Sequence, residues 1–289
     1  MKTRLLSSLL AVALISPLSA STAAEVAARP APAAVVAPDP AIEIKHLAAL
    51  FRAGDLAGLA QGLVPPSQWE RARTAFASHR NKPVTDADRA HFAEKLQEIT
   101  APDAVDRLMR EVEPELAKAR PQWAGMLLMA CGAMQVAVNS PETKLTDAER
   151  EALRSALPGI QRWLGATDFF DTGSMRRALT LLTDAARRTG ITDLEQLRAM
   201  PLESLLDRAG PVLGAAKEAA RIYGVDLDAI ADSLRVDVLE RGQDTARVRV
   251  TVTLFGAPIW AEHDLVLKEG HWYGKHAGVH FDEDVAFVD

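Results

Sequence analysis

Residues 247–268 read RVRVTVTLFGAPIWAEHDLVLK. Their apolar period is two. Val248, Val250, Val252 and Leu254 fall on one face, and Arg247, Arg249, Thr251 and Thr253 on the other. After the turn FGAP the alternation resumes, with Ile259, Ala261, Leu265 and Leu267 sharing a face that also carries His263. Strict alternation marks a half-buried strand. The short runs VDVLE and HWYGK flank this pair, separated from it by the turns GQD and EG. The pattern predicts a four-stranded antiparallel meander from about residue 234, with one face on a core.

Upstream of Leu234 the period changes to that of a helix. In AIEIKHLAALFRAGD, Ile44, Leu47, Leu50 and Phe51 align on one side. Pro65-Pro66 sits where a helix start tolerates missing N–H groups. Thr85-Asp-Ala-Asp88 and Thr100-Ala-Pro-Asp103 open further helices, and Pro114 is expected to kink the second or end it early. Thr146-Asp-Ala-Glu149 and Thr192-Asp-Leu-Glu195 have the form of capping boxes, while Gly190 and Gly224 stand at helix ends. WAGMLLMACGAMQVAV, residues 123–138, is almost wholly apolar. Sixteen residues at about 1.5 Å each fall short of a bilayer core of roughly 30 Å, so the expectation is a central helix buried on all sides. The chain thus reads as α+β: a helical domain over 42–233, and an antiparallel sheet with a tail over 234–289 packed on it.

Residues 1–24 are a different kind of segment. Lys2 and Arg4 precede a short apolar run, and SASTAA follows with small residues spaced for cleavage near Ala20, Ala23 or Ala24. This is the form of a Sec signal peptide, and it gives a periplasmic address. Residues 25–41, rich in Ala and Pro, read as an extended tether. The formal charge is −6 and becomes −8 once the two leader cations are removed. A net acidic chain without a basic stripe is a poor partner for nucleic acid or anionic lipid. The single Cys131 excludes an intrachain disulfide.

Motifs that carry chemistry are few. Asp171-Thr-Gly-Ser174 matches the catalytic strand of an aspartic protease, but it occurs once, and Met175, Ala178, Leu179, Leu182 and Ala186 follow at helical spacing. The motif reads as an N-cap. Residues 226–233, DLDAIADS, lack the glycine and closing glutamate of a calcium loop and read as a capped helix start. HExxH, GxSxG, CxxC and a phosphate-cradling glycine loop do not occur, and nothing calls for a cofactor. His271, His276 and His280 precede an acidic tail and form a candidate metal set. A histidine on an apolar strand face needs partners for both ring nitrogens. If the sheet curls around a pocket, His263 points into it, with Trp260, Trp272 and Tyr273 as further candidate ligand contacts.

FRAGDLAGLAQGLVPPSQW (51–69) and GQDTARVRVTVTLFGAPIWAEHDLVLKEGHWYGKH (242–276) resemble the beginning and end of domains with the cone-like fold of ketosteroid isomerase and nuclear transport factor two. The same cadence resembles uncharacterised secreted bacterial proteins. The resemblance implies a curved sheet able to line a pocket and transfers no catalytic residue. About 150 helical residues separate the two segments. They form either an insertion in a split cone or a domain of their own. The leading functional expectation is a non-catalytic periplasmic protein that binds a small apolar ligand or an envelope partner. The alternatives are a cone-fold enzyme with His263 as acid or base, and a periplasmic metal-binding protein.

Overall fold

The computed structural model describes residues 38–140, 142–143 and 145–275. Residues 1–37, on which the signal-peptide expectation and most of the tether expectation rest, lie outside them, as do His276, His280 and the acidic tail. Within the described residues ten helices precede one four-stranded antiparallel sheet, an α+β arrangement. The helices are α1 (Pro40–Ala53), α2 (Leu56–Leu63), α3 (Pro66–Arg80), α4 (Asp86–Thr100) and α5 (Ala104–Asn139), followed by α6 (Asp147–Ala166), α7 (Thr172–Arg188), α8 (Leu194–Ala199), α9 (Leu202–Ile222) and α10 (Leu227–Asp232). The strands are β1 (Arg235–Arg241), β2 (Thr245–Leu254), β3 (Ala257–Lys268) and β4 (His271–Gly274), in spatial order 1-2-3-4.

Local chemistry sets most boundaries. Thr85 with Asp88, and Thr146 with Glu149, form reciprocal capping boxes at α4 and α6. Gly54, Gly190 and Gly224 have φ of 74°, 66° and 79° at helix ends. Directly after Gly54, the Asp55 carboxylate accepts the Gly58 N–H at 2.7 Å and starts α2. Two details differ from the sequence reading. The cap of α8 is Asp193, which accepts from the Gln196 N–H at 2.7 Å, while Gln196 returns a contact to the Thr192 N–H; the box is shifted by one residue. Pro114 does not end its helix, since α5 runs for 36 residues through Pro114 and Pro121. Both prolines are exposed, so water can satisfy the carbonyls that lose a donor four residues upstream.

The sheet register follows the alternation. Val248 lies opposite His263, Val250 opposite Ala261, and Leu267 opposite Trp272. Ala246, Val248, Leu265 and Trp272 form a buried cluster joined by Ile44, Val236, Val250 and Leu267. Through Ile44, α1 covers this face. The Pro38 carbonyl accepts from Trp272 Nε1 at 2.6 Å, and the Glu43 carboxylate accepts from the Trp272 N–H and meets His271 Nδ1 at 2.7 Å. The first helix is thereby fastened to the last strand.

The sheet meets the helical body at the β2–β3 turn. Phe255 (φ 50°) and Gly256 (φ 80°) are both left-handed, as a tight hairpin turn requires. The Phe255 ring stacks on Trp163 of α6 at 4.6 Å, and a Cβ at Gly159 would lie 2.7 Å from the Phe255 carbonyl oxygen. Glycine at 159 lets the turn dock. Packing of α7 on α9 is likewise close, through buried Ala178, Ala185, Ala215 and Ala219. At the base of α9, Lys217 is 5% exposed and donates to the Phe51 and Arg52 carbonyls and to Asp228.

Candidate functional site

Sheet parity divides the four candidate ligand contacts. His263 and Trp272 share the face covered by α1, whereas Trp260 and Tyr273, one residue out of step, lie on the other. Trp272 is 5% exposed and belongs to the core cluster. Trp260 carries the Arg249 guanidinium 4.4 Å from its ring centre, and Arg249 pairs with Glu262 at 2.7 Å. With Arg247–Asp264 at 3.2 Å, this makes a charged ladder on the outer face. His271 is exposed and paired with Glu43. Among the described residues no three His, Cys, Asp or Glu side chains gather to hold a metal. His276 and His280 lie outside them.

His263 is half-buried, and no hydrogen bond to its ring occurs among the described residues. Burial pushes its pKa below the usual histidine value, with Asp264 opposing weakly. The sign of the pH effect follows. A base whose folded pKa is depressed binds its proton more readily when unfolded, so its stability contribution is complete above about 6.5 and declines as pH falls below that. His263→Gln is therefore expected to flatten the fall in Tm between about pH 7 and pH 5. Parallel Tm–pH curves for the two proteins would contradict it.

Two cavities lie in the helical body, and neither touches the four sheet residues. One, of about 320 Å³, runs between α5 and α6 and is lined by Gln135, Val138, Asn139, Arg154 and Leu157. The other, of about 310 Å³, lies between α3 and the start of α9, where Arg73 bridges Glu70 and Glu203 at 2.8 and 2.7 Å.

The Asp171-Thr-Gly-Ser174 stretch is a helix start. The Asp171 carboxylate accepts the Ser174 N–H at 2.8 Å, and hydrogen bonds from Ser174 hold its pKa below the usual carboxylate range. Phe169 and Phe170 just before it enter an aromatic assembly. Trp123 meets both edge-on at 5.5 Å, Trp163 meets Phe169 at 5.4 Å, and Tyr223 stacks on Phe169 at 5.9 Å. Trp163 Nε1 donates to the Tyr223 carbonyl at 2.6 Å, which ties α6 to the end of α9.

The apolar stretch 123–138 departs most from expectation. It is not a helix buried on all sides. It is the second half of α5, and one side of it is open. Leu128 is 75% exposed, Met129 70%, Val136 68% and Met126 49%. Only its other side has neighbours: Trp123, Leu127, Cys131 and Met134 are half-buried, and Val138 is buried beside α6. Residues 121–141 contain no Asp, Glu, Lys or Arg. Elsewhere among the described residues exposed large apolar side chains occur singly or, at Val238 and Leu239, as one pair at 39% each, but these four lie within eleven residues. Uniform hydrophobicity gave no sign of which side would lack a neighbour. The readable signal was the placement of Gly125 and Gly132, seven apart, inside a helix. No described helix is long and apolar enough to cross a membrane.

No protein-family model, curated protein or solved structure matches the chain.

Proposed function

We propose that this chain is an exported, non-catalytic protein that acts by binding an envelope partner through the open apolar side of α5. The observation that carries the reading is the uncharged strip from Met126 to Val136, with four large side chains between 49% and 75% exposed. Contiguous apolar patches of this kind mark interaction sites on soluble domains. The thin core of the single chain points the same way. Among the described residues the largest side chains with less than 2% exposure are Met109, Val248, Pro40 and Pro65. Binding a small apolar ligand at the sheet has less support, because the four sheet residues face two ways.

A double substitution tests this. Leu128→Asp with Met129→Asp touches exposed positions, so the stability of the fold should move by no more than about 0.5 kcal/mol per site. Native mass spectrometry of the tagged protein from its own host should show wild type in a complex of defined mass and the double variant as a single chain. Both proteins at single-chain mass would refute the docking role.

A further inference from the structure

The open side of α5 has an internal order. Gln122, Gly125, Met129, Gly132, Val136 and Asn139 follow one another at spacings of three, four, three, four and three residues. Such a heptad-like seam runs along one side of a helix and is the geometry by which helices pair. Laid against itself in reverse, about a point between Ala130 and Cys131, the seam sets Met129 opposite Gly132, Val136 opposite Gly125, and Gln122 opposite Asn139. Each large apolar side chain meets a glycine of the facing helix, and the two amides meet at the ends. Asn139 Nδ2 already donates to the Gln135 carbonyl at 2.8 Å, which leaves its side-chain oxygen to accept from Gln122 of the other helix.

The glycines are the second observation. Glycine inside a helix is unfavourable, and it is retained where a backbone must approach closely. A Cβ at Gly125 or at Gly132 would meet nothing within 4 Å in this chain. Gly165 and Gly214 also have open space beside them inside helices, but Gly125 and Gly132 alternate with the exposed Met129 and Val136 along one side, and a facing helix would use both. We infer that α5 pairs antiparallel with α5 of a second copy across a two-fold axis, with Met129 and Val136 seated over Gly132 and Gly125 of its partner. This rests on the reading of α5 as a docking face and names the occupant.

The extent of the strip fits a second copy. Met129 and Val136 in the seam, flanked by Met126 and Leu128, expose roughly 500 Å² on each copy, so covering seam and flanks together reaches the roughly 1,000 Å² total at which specific interfaces begin. Lipid fits less well. The chain is net negative at −6, residues 121–141 carry no Lys or Arg, and a bilayer has no use for alternating holes.

Sedimentation of the purified protein at about 10–100 µM should give twice the single-chain mass. Gly125→Leu with Gly132→Leu should weaken association at least about thirty-fold while leaving the fold intact, since leucine favours helix and the sites are open. The same change enlarges the apolar surface, so stickiness without fit would increase instead. Orientation is read separately from spin labels on Lys118→Cys with Cys131→Ser. Antiparallel pairing places the two labels about 37 Å apart along the helices, and parallel pairing brings them within about 15 Å. A wild-type monomer at 100 µM, a short label distance, or a leucine variant that still dimerises would overturn the inference. If wild type is monomeric but the Leu128→Asp/Met129→Asp protein loses a different binder, the docking face stands and the second copy does not.

Discussion

Replacing Lys217 by Ala is expected to destabilise the fold by about 3–4 kcal/mol. The ammonium is 5% exposed and sits 2.6 Å from the Asp228 carboxylate, 2.8 Å from the Arg52 carbonyl and 3.2 Å from the Phe51 carbonyl. Its charge also lies 5.2 Å from the centre of the Phe51 ring. One side chain thereby closes the carbonyl end of α1, anchors α9 beneath it and holds the start of α10. Removing it takes the side-chain donor from the Arg52 carbonyl and leaves the Asp228 carboxylate only Arg221 at 3.4 Å, while the Phe51 carbonyl keeps the Gly54 N–H; the loss of the buried donor sets the size of the effect. For a domain of this length the midpoint should fall by roughly 10 °C. Lys217→Met should cost less because the stem still packs, and Asp228→Asn added to it should cost less than the two changes separately. Chemical denaturation measures all three. A loss under about 1 kcal/mol for Lys217→Ala would mean that the latch contributes little.

Trp272→Ala should rank beside it, with a loss of about 3–5 kcal/mol. The indole fills the cluster around Val248 and Leu265, carries the Arg241 guanidinium 5.9 Å from its ring centre, and donates to the Pro38 carbonyl. Trp272→Phe retains much of the packing but drops the hydrogen bond, so it should lose about 1–2 kcal/mol. Trp260→Ala, on the outer face, should lose less than about 1 kcal/mol beyond its contact with Arg249. The contrast between the two tryptophans separates core from surface. Equal losses at both positions would mean that the outer face is covered at Trp260 as it is at Tyr273, which is 6% exposed.

What could be read from the sequence was local. Alternation in 247–268 fixed the strands, the turns and the partition of faces, because a pleated backbone turns period two directly into sidedness. Capping worked for the same reason: Thr85, Thr146 and Asp171 meet partners three residues away. Distant pairings left no such trace. Nothing in PAIEIKHL announces that Glu43 will bind the strand carrying Trp272, and a lysine at 217 within an alanine-rich helix reads as a solvent residue until Phe51, Arg52 and Asp228 close on it. The open side of α5 was not legible for a related reason. Residues 123–138 are apolar all round, and hydrophobicity states how much a segment gains from being covered but not what covers it. Gly125 and Gly132 were the one mark on that side in the sequence, and the fold shows the space beside them to be open.

Methionine oxidation measures the central claim most directly, because the chain supplies its own scale. Met109 is 1% exposed and reports the fold, while Met129 is 70% exposed and reports the open side of α5. Under dilute peroxide, followed by mass spectrometry of the digest, Met129 should react far faster than Met109 at nanomolar protein. At about 100 µM it should slow towards the rate of Met109 as the face is covered. Rapid oxidation of Met129 at every concentration would leave α5 without a second copy upon it, and slow oxidation even at high dilution would show that the fold itself buries the strip.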